Sequence, residues 1–271
     1  MSTISDNLRR VIEANAKLWA GEAEVFRTYW TWTGRTRETD KKWLAYQCYK
    51  EVWSVITGHP SDGLFMGTLR RIEAMFPKID TEIDRHTVLD EAEGLWAEFA
   101  HYCAFADAYD AMLKPGEAKM NPRMVKDTGW KADEALAELR HGHRKKYGVI
   151  GERACKFTEG GYCTLFSEGM KLAANPGGHE GRDGLIAEAC AKVYDDEFGH
   201  MLKGIVGLDR EGLSAEDWTL FEQLTTEQLK SRIVMRNDQF GRPLSEKRVR
   251  ELQAGAAAPI AFDYEQAKLA A

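Results

Sequence analysis

Three Glu-x-x-His tetrads are the residues of this sequence with the clearest chemical potential: Glu98/His101, Glu138/His141 and Glu197/His200. At this spacing on a helix, the carboxylate and the imidazole lie one turn apart on the same face, where both can bind one metal ion. A carboxylate or imidazole is costly to bury unless it is paired or bound to metal. The neighbours of each tetrad therefore decide which of them is a candidate site.

The first and third tetrads lie on apolar helical faces, so their polar groups are predicted to point into a core. The residues sharing the face of the first are Leu95, Phe105, Ala108 and Met112, and those sharing the face of the third are Val193, Met201, Gly204 and Ile205. The middle tetrad shares its face with Lys131, Glu134 and Lys145, which is typical of a solvated surface pair. A hydrogen-bonded core Glu-His pair is the alternative for one apolar tetrad alone, but two of them favour a metal site.

Glu159 is a further acidic residue in an apolar setting. It falls in a predicted helix over about 149–172, between Cys155, Cys163 and Phe166. Two metal ions about 3.5 to 4 Å apart must share anionic ligands. Glu159 is therefore a candidate bridging carboxylate from a helix that faces the tetrads.

Gly160 and Gly161 follow this carboxylate directly. Glycine inside a helix costs about 1 kcal/mol relative to alanine. Either the two glycines permit close helix packing, or the missing side chains leave room beside the metals for dioxygen and a substrate.

With these residues, the sequence resembles the ferritin-like di-metal carboxylate superfamily. In that superfamily, four helices supply in turn a Glu, a Glu-x-x-His, a second Glu and a second Glu-x-x-His. The resemblance maps the last three elements onto Glu98/His101, Glu159 and Glu197/His200, and covers more than half of the chain by architecture but few residues by identity. It implies an all-α, ferritin-like four-helix bundle with additional flanking helices.

The first-helix acid is where the sequence departs from the superfamily pattern. The usual position, some thirty residues before the Glu-x-x-His, would fall near Phe65, where there is no carboxylate. Glu51 and Glu22 both lie on apolar helical faces, and helix order slightly favours Glu51. Both are kept as candidates, one as the ligand and the other as its partner or as an additional carboxylate.

The resemblance implies a non-haem di-iron oxygenase or oxidase that activates dioxygen at a carboxylate-bridged dinuclear site and oxidises a small organic substrate. The implied cofactor is two iron ions, with manganese as the other metal, and the reaction requires an external electron donor. The alternatives are a ferroxidase or rubrerythrin-like peroxidase, a dimanganese catalase, and a metal-free helical scaffold. The assembly state is open, with a homodimer among the expectations.

The elements that must position these residues are all predicted to be helical, since no segment alternates with period two in the manner of a strand. One domain is predicted, with an ordered core over about 4–240 and a loosely attached, partly helical tail over 241–271. A capping box at Thr87–Asp90 is predicted to start the Glu98 helix. Helices are predicted at about 4–33, 39–57, 62–76, 87–112, 130–145, 149–172, 184–207 and 215–236.

Composition limits the function class. The 271 residues are 44% hydrophobic and carry a net charge of −6, without a basic run suited to nucleic acid or to acidic lipid. No apolar run is long enough to span a bilayer, and the N-terminus lacks a signal-peptide core. The cysteines form no CxxC pair and are predicted to be buried, reduced thiols, which indicates a cytoplasmic protein; they are Cys48, Cys103, Cys155, Cys163 and Cys190.

Overall fold

The structure is a computed structural model that describes residues 4–54 and 63–264. Over these ranges the chain is helical and has no β-strand, which confirms the all-α class. The four-helix bundle of the ferritin-like type stays a prediction. The α-helices are α1 (Asp6–Trp30), α2 (Arg37–Trp53), α3 (Gly63–Met75), α4 (Arg85–Asp110), α5 (Pro122–Val125), α6 (Lys131–Phe157), α7 (Thr164–Met170), α8 (Arg182–Leu202), α9 (Ala215–Gln239) and α10 (Glu246–Gln253).

Most predicted helices correspond to observed ones, with boundaries that differ by a few residues. The predicted C-terminal end of the second helix, at about residue 57, lies outside the described residues. The predicted capping box at Thr87–Asp90 is wrong, because α4 begins two residues earlier. Asp84 is its N-cap, and its side chain accepts a hydrogen bond from the backbone nitrogen of His86 at 2.7 Å.

The prediction of a second helix over 149–172 is wrong. Residues 131–157 form α6, which is kinked at Gly148, where φ is 54° and ψ is −125°. This conformation is open to glycine because it has no Cβ atom. After α6 the chain makes a turn and a 3₁₀ segment, Gly161–Cys163, before α7 begins. The periodic apolar pattern continues across this break, which explains why the sequence suggested one helix.

The chain groups into two compact units. The first contains the described residues of Met1–Arg35, Trp130–Leu172 and Tyr194–Ala271, and the second contains those of Thr36–Gly129 and Ala173–Val193. Helix α8 is continuous through residue 193, where the assignment changes from the second unit to the first.

In the first unit, α9 packs against both α1 and α6, and α7 packs against α1. Helix α1 is buried over much of its length, and Ser5 caps its N-terminus by accepting from the backbone nitrogen of Leu8 at 3.0 Å. The core of this unit contains Trp19, Phe26, Phe157 and other apolar side chains. Burial of this apolar surface is the main stabilising contribution.

In the second unit, α2 packs against α4, and α3 packs against both. The core side chains include Trp43, Leu44 and Phe105, and the Trp43 and Phe105 rings meet edge to face at 6.4 Å. This packing fixes the facing surfaces of α2 and α4, from which the polar residues described below project.

The prediction of a loosely attached tail is wrong for residues 241–264. Helix α10 packs against α1 and α9, and its Val249 and Leu252 side chains are buried. Farther along, Phe262 is buried and its ring stacks on Trp19 at 5.7 Å. The tail therefore completes the core of the first unit. Its apolar residues are few, and a helical pattern this short does not decide between a packed and a loose segment from sequence alone.

Across the described ranges, none of the helices combines the length and the apolar character needed to cross a membrane.

Candidate metal site

Helix α2 supplies the first carboxylate of the candidate site. Glu51 lies in its last turn and is buried, with Val52 beside it in the core. One turn earlier on the same face, the side-chain amide of Gln47 donates a hydrogen bond to Oε1 of Glu51 at 2.5 Å. The prediction that Glu51 is a buried acid is therefore confirmed.

Helix α4 supplies the first Glu-x-x-His tetrad. The imidazole of His101 is 1% exposed and the carboxylate of Glu98 is 17% exposed. Nδ1 of His101 lies 4.0 Å from Oε2 of Glu98 and 3.9 Å from Oε2 of Glu51. A single imidazole nitrogen is thus flanked by carboxylate oxygens from two packed helices.

Helix α8 supplies a third carboxylate. Glu197 lies one turn after Val193 on this continuous helix and is buried. Glu51, Glu98, His101 and Glu197 each offer one ligand atom, and these atoms all lie within 4.8 Å of one another. The four residues, called the metal group below, can hold a metal ion.

The composition of the metal group favours a divalent cation. Three carboxylates at this separation repel one another, and a protonated imidazole offsets only one of the negative charges. Burial makes the remaining repulsion more costly than it would be in water. A dication offsets two charges and accepts oxygen and nitrogen ligands together, so the donor set fits manganese, ferrous iron or zinc.

The surroundings of the metal group are apolar and electrostatically negative. Burial raises the pKa of the Cys48 thiol well above its ordinary value, and the nearby Glu51 carboxylate raises it further. In the first unit, burial raises the pKa of Cys163 in the same direction, and Glu197 adds to the effect. Burial raises the pKa of Tyr102, next to His101 in sequence, to about 12. The neutral forms of these groups are therefore favoured, and they add no further negative charge.

Glu159 does not lie where the sequence placed it. It is in the turn after α6, and its side chain is exposed. The prediction of a buried carboxylate inside a helix is wrong, and Glu159 is outside the metal group. The physical reason is that the chain leaves the helical path at Thr158, so the apolar periodicity no longer specifies a face.

Glu22 is buried, as predicted, but its carboxylate is held by arginines of α9. Nε of Arg232 donates to its two oxygens at 2.8 and 3.0 Å, and Nε of Arg236 donates to Oε1 at 3.2 Å. Glu22 is outside the metal group. Of the two first-helix candidates, the structure brings only Glu51 to the other ligands.

Gly160 and Gly161 are not in a helix interior, which corrects the prediction. A Cβ atom on Gly160 would lie 3.3 Å from Oε2 of Glu197, and one on Gly161 would lie 2.2 Å from Oε2 of Glu22. Gly161 also has a φ of +50°. The absence of side chains at the two glycines thus allows the buried carboxylates of Glu197 and Glu22 to lie close to the backbone.

The remaining tetrad residues divide as follows. Glu138 and His141 are exposed on α6, which confirms their interpretation as a surface pair. His200 is half-buried, one turn after Glu197, and lies outside the metal group. The five cysteines, all within the described residues, form no disulfide; four are buried and Cys103 is half-buried.

Three sets of buried polar residues were not predicted from the sequence. They are Gln47 beside Glu51, the Arg232/Arg236 pair, and His143, whose Nδ1 lies 3.0 Å from the side-chain amide of Gln228. Each is spaced so that it falls on the apolar face of its helix. That spacing, applied to every polar residue and not only to the Glu-x-x-His tetrads and the single acids, would have identified them.

The sequence matches no protein-family model, and neither the curated proteins nor the solved structures include a significant match.

Proposed function

We propose that the protein binds a redox-active divalent metal, iron or manganese, at the metal group and uses it to oxidise a small organic substrate with dioxygen. The observation that carries the proposal is the convergence of three carboxylates and one imidazole within 4.8 Å at a buried position. Nearly every member is shielded from water, and Glu98 is the most exposed.

The choice of metal rests on donor chemistry. Carboxylate oxygens stabilise the higher oxidation states of iron and manganese, and one imidazole leaves coordination positions free. A purely structural zinc site would more often contain cysteine thiolates and a closed tetrahedral set. When bound, the metal would supply one-electron chemistry with dioxygen, which protein side chains lack.

The residues of the chain hold and shield the metal. Nδ1 of His101 would bind the metal as a neutral ligand. Glu51 and Glu98 approach this nitrogen from different helices, so the packing of α2 on α4 sets the width of the site. The low exposure of Glu51, His101 and Glu197 limits the access of water to the site.

A dinuclear centre is the fuller form of the proposal. It would require His200 and the second oxygens of Glu98 and Glu197, since carboxylates can bridge two ions. The exposed position of Glu159 removes the third-helix carboxylate that the resemblance implied. The number of metal ions bound per chain therefore distinguishes a mononuclear from a dinuclear site.

The setting of the reaction is also part of the proposal. Electrons would come from an external donor, because the organic substrate supplies at most two of the four needed to reduce dioxygen to water. Five cysteines outside disulfides, most of them buried, suit a reducing cytoplasm.

Metal analysis tests the proposal. The protein is purified, stripped of metal with chelator, reconstituted anaerobically with Fe(II) or Mn(II), and analysed for bound metal. One or two ions per chain are expected, and this stoichiometry should fall in Glu51→Gln and His101→Ala. Glu138→Gln and Glu159→Gln are matched controls, because both positions are exposed. A folded wild-type protein that retains no ion would overturn the proposal.

Oxygen consumption tests the reaction. The Fe(II)-loaded protein is mixed with oxygenated buffer, with and without a panel of small aromatic and aliphatic substrates. Uptake that rises with one substrate and yields an oxidised product supports the oxidoreductase. Uptake that depends on added Fe(II) alone would instead indicate a ferroxidase.

A further inference from the structure

We propose that Gln47 is a positioning residue for the metal group. Its side-chain amide holds one oxygen of Glu51 and leaves the other oxygen to bind metal. This inference rests on the proposed metal site. In this proposal Glu51 is a ligand through a single oxygen, and Gln47 orients that ligand without binding the metal itself.

The geometry divides the two oxygens of Glu51. Oε1 accepts the amide hydrogen bond from Gln47 at 2.5 Å. Oε2 lies 3.9 Å from Nδ1 of His101. The oxygen of Glu51 nearer to His101 is therefore the one that Gln47 does not occupy.

Both partners are buried and sit one turn apart on α2, Gln47 with 3% exposure and Glu51 with 4%. In this low-dielectric setting a hydrogen bond to a charged group contributes more than it would at the surface. The bond fixes the rotation of the carboxylate before metal arrives, so less order must be imposed on binding.

The side-chain amide of Gln47 is uncharged, and this affects how strongly Glu51 attracts a cation. Glu22 shows the contrasting case, since two buried guanidinium groups neutralise its carboxylate and leave no negative charge for a cation. Gln47 orients Glu51 with a donor that carries no charge, so the carboxylate keeps its attraction for a dication. The same chain thus contains one buried glutamate committed to an ion pair and one held ready for metal.

The test is a titration of the metal-free, full-length protein with Co²⁺ alone, followed by visible absorption, which reports both affinity and coordination number. Gln47→Met keeps the size of the side chain and removes the donor. We expect a 10- to 100-fold loss of Co²⁺ affinity. We also expect weaker visible bands, because a released Glu51 can bind through both oxygens and raise the coordination number.

Gln47→Lys tests the charge, and it retains a donor to Glu51 that supports folding. Its ammonium group should neutralise Glu51, and Co²⁺ affinity should fall below that of Gln47→Met. The matched control is Gln228→Met, another buried glutamine, whose amide contacts His143 and Cys155 outside the metal group. This control should lower stability and leave the Co²⁺ spectrum unchanged.

The outcomes separate the two proposals. Wild-type protein that binds no Co²⁺ overturns the metal site and this inference with it. Tight wild-type binding with unchanged affinity and spectrum in Gln47→Met and Gln47→Lys, both shown by circular dichroism to be folded, overturns the positioning role alone. Loss of affinity with a changed spectrum in Gln47→Met, but not in Gln228→Met, supports it.

Discussion

The carboxylate of Glu22 accepts a hydrogen bond from Nε of Arg232, with 2.8 Å between the two atoms and both side chains buried. Arg236 completes the ion pair from one turn farther along α9. Burial and the charge of Arg232 lower the pKa of Arg236 to about 10, and Glu22 opposes this shift. Glu22 therefore stabilises two buried cations, which is a structural role and not that of a metal ligand.

Glu22→Gln should accordingly reduce stability without reducing metal content. Removing one partner of a buried ion pair leaves uncompensated charge and costs about 3 to 5 kcal/mol. Urea denaturation of the metal-free protein measures this loss, and metal analysis of the reconstituted protein measures stoichiometry. Glu51→Gln is the reciprocal variant, expected to lose metal with a smaller change in stability. A fall in metal stoichiometry in folded Glu22→Gln would contradict the assignment.

Gly161→Ala should be strongly destabilising. The residue has a φ of +50°, and its Cβ atom would lie 2.2 Å from Oε2 of Glu22 and 2.4 Å from Nε of Arg232. The left-handed conformation alone costs a non-glycine residue about 1 to 2 kcal/mol, and the clash with the ion pair adds to this. The urea midpoint should therefore fall.

Gly142→Ala is the control for this substitution. Gly142 lies in α6, and nothing lies within 4 Å of the position its Cβ would take. Alanine is favoured over glycine in a helix by about 1 kcal/mol, so the midpoint should rise. Equal effects of the two substitutions would show that the turn at Gly161 tolerates a side chain.

The fold class and each of the four residues of the metal group could be predicted because their signals are local. Apolar residues at helical spacing identify a helix, and the same spacing places Glu98 and His101 on its buried face. Glu51 and Glu197 were predicted on the same principle. What joins Glu51 to Glu98 and His101 is the packing of α2 on α4. That packing depends on side chains distant in sequence and was inferred only through the resemblance.

Glu159 shows where local signals fail. The apolar residues around it are buried as predicted, but the chain turns at Thr158 and forms a left-handed segment that includes Tyr162, with φ of 53°. Such a conformation is uncommon for a non-glycine residue, and its cost is balanced by tertiary contacts. Periodicity cannot reveal a turn that tertiary packing imposes.

Phe262→Ala should destabilise the first unit. The Phe262 ring is buried, with its centroid 5.7 Å from that of Trp19 and 5.0 Å from that of Tyr162. Truncation of a buried phenylalanine costs about 3 to 5 kcal/mol. Urea denaturation followed by tryptophan fluorescence measures this, since Trp19 is part of the contact. Val149→Ala, at an exposed position, is the control; an equally small effect of both would mean that the tail contributes little.

His143 should make stability depend on pH. Burial lowers the pKa of its imidazole below the ordinary value of 6.5, and Lys146 acts in the same direction, while Glu227 opposes them. Nδ1 lies 3.0 Å from the amide nitrogen of Gln228, so the neutral ring accepts this hydrogen bond and the protonated ring cannot. The folded state therefore binds the proton more weakly than the unfolded state does.

This direction fixes the sign of the pH effect. The contribution of neutral His143 is fully present above pH 6.5, and it is lost as the pH falls from there through the lower pKa of the folded state. The urea midpoint should therefore fall more between pH 7.5 and pH 5.5 in the wild type than in His143→Gln, which cannot titrate. His141→Gln, at an exposed position of the same helix, should keep the wild-type pH dependence. An identical pH dependence in His143→Gln and the wild type would show that this imidazole titrates alike in both states.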